Sequence, residues 1–251
     1  MSAQNIQLTV VYDNHAQRDD LQSAHGFACL IDGLEKTILF DTGGDGEILL
    51  QNLEKLGRSP DEVDLVFLSH SHWDHTGGTF RFLHRKPNVT VYMPVSVSKV
   101  FREHCKMLGA KAVAVEEPTE IFAGVYSTGQ LGGPELRLDM HEHALVLDTG
   151  PTISVITGCA HPGIGNIVAR AKALHGKPLG LVAGGFHLMN STPPEVEGVI
   201  ETLRGLGVTR VATSHCTGDA SVERIRQSWG KEFVNFSCGA TVQIDLPQCT
   251  K

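Results

Sequence analysis

Four side chains that bind divalent metal ions stand within six residues of one another: His70, His72, Asp74 and His75, in the run His70-Ser71-His72-Trp73-Asp74-His75. In a random chain of this composition the pattern HxHxDH would arise only about 0.002 times. A polar surface turn is the bland explanation. It leaves unexplained why four strong ligands crowd the end of an apolar strand. Imidazole and carboxylate suit zinc, and tolerate iron or manganese. Ligands two residues apart in an extended segment can point to one side, so His70 and His72 can share one ion while Asp74 and His75 turn toward a second. If Asp74 also hydrogen-bonds a water on such an ion, it could accept the proton.

One segment supplies too few ligands for two ions, and three later segments offer more. Cys159-Ala160-His161, Gly184-Gly185-Phe186-His187 and Ser214-His215-Cys216 each follow an apolar, strand-like run. Open sheets gather ligands at such strand ends. Singly, each histidine reads as structural; their equivalent placement favours a site. Cys159 and Cys216 flank these histidines, and small buried fillers are the commoner role for such residues. Trp73 either walls the pocket or packs beneath it, packing being the commoner role. Met140, His141 and His143 are candidates for the entrance, although strand alternation explains them as well.

The elements that must position these residues are legible from local patterns. Ile6–Val11, Phe27–Ile31, Lys36–Asp41 and Val63–Ser69 read as strands. Gly46–Leu56 has helical apolar spacing with Gly57 at its end, and Ser59-Pro60-Asp61-Glu62 has capping-box form. Further on, Val89–Met93, Lys111–Val115, Glu135–Leu138, His143–Asp148, Thr152–Ile156, Leu179–Ala183, Val208–Thr213, Phe233–Phe236 and Thr241–Ile244 read as strands. Ser96–Leu108, Gly163–Leu174, Pro193–Leu206 and Asp219–Trp229 read as helices. The stretch Glu116–Pro134 reads as irregular and glycine-rich, a candidate lid. With no linker or repeat visible, residues 1–251 are expected to form one domain of two packed sheets with helices outside.

Composition narrows the function classes. The 251 residues carry a formal net charge of -7 and 41% hydrophobic content, an ordinary globular balance that argues against a duplex-binding protein. No apolar run reaches membrane-spanning length, and Met1–Thr9 lacks a signal-peptide pattern. Six scattered cysteines without a CxxC pair argue against a thiolate zinc site or a disulfide framework, and a reducing cytoplasm is the expected location.

Leu39-Phe40-Asp41-Thr42-Gly43, the HxHxDH cluster with Thr76-Gly77-Gly78, and the later His161 and His215 together resemble the metallo-β-lactamase superfamily. The finer signatures Gly158-Cys159-Ala160-His161, Gly184-Gly185-Phe186-His187-Leu188 and Ser214-His215-Cys216-Thr217-Gly218 are similar to one subgroup. It includes the archaeal 7,8-dihydropterin-6-methyl-4-(β-D-ribofuranosyl)-aminobenzene-5′-phosphate synthases. The resemblance implies an α+β fold, a four-layer αββα sandwich with two divalent metal ions at one edge. It implies His70, His72 and His161 as ligands of one ion, and Asp74, His75 and His215 of the other. Asp41 is expected behind the ligands, orienting one of them. Many hydrolases of the superfamily carry a bridging aspartate where this sequence has His187. A neutral imidazole does not readily bridge two cations, so His187 either ligates one metal or faces the substrate.

The expected chemistry is hydrolysis of an ester, thioester, lactone or phosphoester of a small molecule, phosphorylated or not, by a metal-bound hydroxide, with Asp74 and His187 as catalytic candidates. The alternative is a dihydropterin-type synthase joining a pterin precursor to a ribosyl-aminobenzene phosphate. It would need an anion site, and Gly163-Ile164-Gly165-Asn166 opens a helix beside His161. A non-hydrolytic diiron redox protein is a third reading, against which His72 argues, because that branch places an acidic residue there.

Overall fold

The structure is a computed structural model and describes residues 5–133 and 138–246. The chain divides into two compact units. One comprises Ile6–Glu116 with Ser237–Gln243; the other comprises Glu117–Phe236 with the remaining described ends.

In the first unit, β1 (Ile6–Tyr12), β2 (Ala28–Asp32) and β3 (Ile38–Phe40) form an antiparallel meander, Leu8 opposite Ile31 and Leu30 opposite Leu39. Helix α1 (Gly46–Lys55) starts where the Asp45 carboxylate accepts from the amides of Glu47 and Ile48. It ends at Gly57, whose φ of 71° suits a left-handed cap. β4 (Leu65–Phe67), α2 (Trp73–Thr76), α3 (Thr79–Arg85), β5 (Thr90–Pro94), α4 (Lys99–Met107) and β6 (Lys111–Val115) follow. β3 to β6 run parallel to one another, and the last strand, Thr241–Ile244, lies beside β1. Leu49 and Leu53 of α1 and Phe82 and Leu83 of α3 pack on Leu30, Leu39, Val66 and Val91. Phe40 and Phe67 stack at 5.4 Å between ring centres, both fully buried. Strands buried on both faces show apolar runs rather than alternation, which is how β3 and β4 read. Their C-terminal ends lie side by side and release Asp41 and Ser69-His70 at one edge.

In the second unit, β7 (Thr119–Phe122) and β8 (Val125–Ser127) form a hairpin, and β9 (Leu131–Gly133) pairs with β10 (Leu138–Glu142). β11 (Leu145–Asp148) pairs antiparallel with β12 (Ile153–Thr157). Then come α5 (Ile164–His175), β13 (Leu179–Gly185), α6 (Pro193–Gly205), β14 (Arg210–Ser214) and α7 (Asp219–Trp229). β12, β13 and β14 are parallel neighbours. Ile167 and Val168 of α5, Ile200 and Leu203 of α6 and Ile225 of α7 pack on Val155, Val182 and Val211.

Two expectations are corrected. Glu116–Pro134 is not irregular: β7, β8 and β9 occupy much of it, and Gly124, with φ 81°, turns the β7–β8 hairpin. Phe233–Phe236 is not a strand; it contributes one bridge, Phe233 to Val211. Most of the expected strand Glu135–Leu138 lies outside the described residues. Among the described residues no helix is long and apolar enough to cross a membrane.

Candidate metal centre

In the first unit the site grows from Asp41. This residue leaves β3 with φ 56°, and its carboxylate turns back over the end of β4. Oδ1 accepts from the Ser69 amide at 2.7 Å, and Oδ2 from the Ser69 hydroxyl at 2.7 Å. Oδ2 also lies 2.7 Å from His75 Nδ1, both side chains being fully buried. A carboxylate only accepts, so His75 Nδ1 carries the hydrogen, and in the neutral ring Nε2 keeps its lone pair. The same reasoning reaches His70. Its Nδ1 lies 2.9 Å from the Ser69 hydroxyl, whose single hydrogen is given to Asp41. His70 Nδ1 is therefore the donor, and in the neutral ring its Nε2 also bears a lone pair.

His70 Nε2 is 3.2 Å from His72 Nδ1. Two imidazole nitrogens on one tetrahedral zinc ion, each about 2.05 Å from it, sit about 3.3 Å apart, so this pair fits one ion. Asp74 Oδ2 lies 3.7 Å from His75 Nε2, a second pair on the same short helix α2. The backbone explains the glycines that follow. A Cβ at Gly77 would collide with the Gly44 carbonyl, and one at Gly78 with the Thr42 carbonyl. Thr42 in turn donates its amide and hydroxyl to the His75 carbonyl, at 2.8 and 2.9 Å. Asp41-Thr42-Gly43 and the histidine cluster are thus one hydrogen-bonded assembly.

In the second unit three parallel strand ends carry the remaining candidates: His161 after β12, His187 after β13 and His215 after β14. The ring centres of His161 and His187 are 4.4 Å apart. Ala160, His187 and His215 all have positive φ, at 60°, 54° and 51°. Left-handed backbone at non-glycine residues persists only where its surroundings enforce it. Glu142 is one such enforcer. Its Oε1 accepts from the Thr157 hydroxyl and the amides of Gly158, Cys159 and Ala160, and its Oε2 from the His161 amide at 2.9 Å. Successive amides converging on a buried carboxylate form an anion nest.

Glu142 was not among the sequence candidates, and neither was His25, whose Nε2 lies 3.2 Å from Asp74 Oδ2. The absence of a CxxC spacing argued against thiolate ligands, yet the fold clusters Cys159, Cys216 and His187. The Cys216 thiol is held well below the usual range. Burial pushes it up, but hydrogen bonds with Cys159 and His187 and the nearby His215 outweigh burial. Trp73 is not packed beneath the site: it is 63% exposed, its ring over Gly44 and tilted against His25. His143 is buried, its Nδ1 2.9 Å from the Ser127 hydroxyl.

Residues 25–162, more than half of the chain, match the family model for the metallo-beta-lactamase superfamily. The chain belongs to this superfamily. It is 26% identical to the 7,8-dihydropterin-6-methyl-4-(beta-D-ribofuranosyl)-aminobenzene-5'-phosphate synthase of Methanocaldococcus jannaschii, covering 96% of this chain and 97% of the relative. Among solved structures, it is similar to Tm1679, a metal-dependent hydrolase of the beta-lactamase superfamily. The TM-score is 0.79 at 26% identity, covering 96% of this chain and 99% of the other. YhfI of Bacillus subtilis, a metallo-beta-lactamase fold protein, gives a TM-score of 0.71 at 12% identity over 96% and 100%. The metallo-β-lactamase fold and the α+β class expected from the family resemblance are therefore those of this chain.

Proposed function

We propose that the protein is a metal-dependent hydrolase of small esters, thioesters, lactones or phosphoesters. In this reading His70, His72 and His161 hold one divalent cation, and Asp74, His75 and His215 hold a second. The supporting observation is the Asp41–Ser69–His70 and Asp41–His75 hydrogen bonding, which directs lone pairs of two buried imidazoles away from their protein partners. A carboxylate behind a ligating histidine is the usual means of fixing tautomer and ring orientation at metal sites. The donor set fits zinc; a bound cation would polarise a carbonyl or phosphoryl oxygen and lower the pKa of water toward about 7.

The chain's own groups do the rest. Asp41 and Ser69 fix the rings of His70 and His75. Asp74, which also meets His25, is the proton acceptor, and the exposed His187 meets the substrate. A synthase reading is favoured by one finding, the likeness over nearly the full length of both chains to the dihydropterin-type synthase. Under that reading the glycine-rich opening of α5 receives the substrate phosphate.

Elemental analysis of gently purified protein, followed by phosphodiester, thioester and lactone panels with and without chelator, tests the hydrolase. Chelator-sensitive turnover is expected. Condensation of a dihydropterin with a ribosyl-aminobenzene phosphate, without hydrolysis, would replace it with the synthase. The variant His72→Ala is expected to lose the cation held by His70, His72 and His161, and with it activity, while keeping its circular dichroism; full activity without metal would refute the metal mechanism.

A further inference from the structure

We propose that Cys159, His187 and Cys216 form a thiolate-rich site for a thiophilic divalent cation. The two sulfurs and a ring nitrogen of His187 lie within 4.8 Å of one another. Around a tetrahedral zinc ion, with Zn–S about 2.3 Å and Zn–N about 2.0 Å, sulfurs sit about 3.8 Å apart and sulfur and nitrogen about 3.5 Å. Contraction by about an ångström at most, within the reach of side-chain rotation, closes the cluster on an ion.

The placement is built by the backbone. Cys159, His187 and Cys216 follow β12, β13 and β14, three adjacent parallel strands. Cys159 is anchored through its amide on Glu142. The Cys216 carbonyl accepts from the amides of Leu188 and Met189, tying its loop to that of His187. The Cys216 sulfur lies over Gly185, only 2.6 Å from where a Cβ would stand, so glycine is what lets the sulfur approach β13. Cys159 and Cys216 are 3% and 5% exposed while His187 is exposed, which places two soft donors inside and an imidazole at the mouth.

Small buried cysteines are commonly mere fillers. Cys29, Cys105 and Cys238 are buried too, and none belongs to a group of side chains spaced to hold an ion among the described residues. Cys159 and Cys216 do. The sulfur site borders the centre of the hydrolase reading: His187 is common to both, and Cys159 also lies within 4.8 Å of ligand atoms of His161 and of His215.

The test is cobalt(II) titration of the full-length, chelator-stripped protein, read by absorbance. Thiolate ligation gives sulfur-to-cobalt charge-transfer bands in the near ultraviolet, which imidazole and carboxylate ligation does not. The bands are expected in the wild type and in His72→Ala, partly lost in Cys159→Ser and in Cys216→Ser, and absent from the double variant. Circular dichroism reports folding in parallel; if the double variant fails to fold, the single variants decide. Absence of the bands from cobalt-saturated wild type, their full survival in both single variants, or a Cys159–Cys216 disulfide in the mass of the purified protein would overturn the proposal. Loss of hydrolysis in His72→Ala with the bands intact would separate this site from the hydrolytic one.

Discussion

A carboxylate offers about four lone-pair sites, and both Asp41 and Glu142 spend theirs on the loops that carry candidate ligands. Asp41 accepts from Ser69 twice and from His75; Glu142 accepts from Thr157 and four successive amides. Replacing Asp41 by alanine removes the group that sets the His75 tautomer. Metal affinity is expected to fall about 10- to 100-fold, read by competition with a chromogenic chelator; unchanged affinity would dismiss Asp41 as an orienting group. Glu142→Gln puts an amide NH2 against backbone N–H groups, leaving buried donors facing donors. A loss of about 3 kcal/mol in urea unfolding is expected. A midpoint equal to the wild type would show the nest to be dispensable. Asp41 was legible because a turn aspartate before Thr-Gly belongs to a recognisable pattern. Glu142 was not, because its partners are main-chain amides, which look alike in every sequence. The Cys159–Cys216 pairing was hidden for another reason: 57 positions separate the two residues, and motif reading sees only neighbours.

At the scale of elements, what was legible was local. The capping box at Ser59 and Glu62 is present, and so is the helix end at Gly57, because both depend on residues a few positions apart. The β7–β8 hairpin escaped notice because strands of four and three residues are too short to show alternation, so Gly124 read as loop rather than as their turn. Two glycines show how position decides the sign of one substitution. At Gly184, φ is 119° and a Cβ would collide with the Thr157 carbonyl of the neighbouring β12. Alanine there must push β12 away and adopt a strained backbone, for an expected cost of about 3 kcal/mol. Gly198, inside α6, has open space around its Cβ position. Alanine there is expected to add about 0.5–1 kcal/mol by helix propensity. Both are read from urea midpoints, and a stabilising Gly184→Ala would contradict the close approach of β12 and β13. Moving β12 also moves the Glu142-bound loop, so Gly184→Ala is expected to weaken metal binding as well.

For the whole molecule the charge balance sets the response to acid. The chain carries a formal net charge of -7 at neutral pH, and several acids are held below their ordinary range. Hydrogen bonds from Arg18, Lys106 and Thr192 do this for Asp20, Glu103 and Glu195. For Asp148 burial works upward, but the Lys177 ammonium and the Gly150 amide outweigh it. His175 is lowered as well, because burial disfavours its charged form. In each case the folded state releases its proton more readily than the unfolded chain, so acid favours unfolding. The His175 contribution is present above its ordinary 6.5 and is lost as pH falls below that. The carboxylate contributions are present above about 4.5 and are lost as pH falls through the ordinary values toward the folded ones. Most of these groups are exposed, so each contributes little, and salt screens it. The urea midpoint of the chelator-stripped protein should therefore be slightly lower at pH 5.5 than at pH 7 and clearly lower at pH 3.5. Asp148→Asn should make the acid limb shallower, since the amide has no proton to gain between the two states. A midpoint that rose on acidification would mean that buried groups of the opposite sign govern the balance.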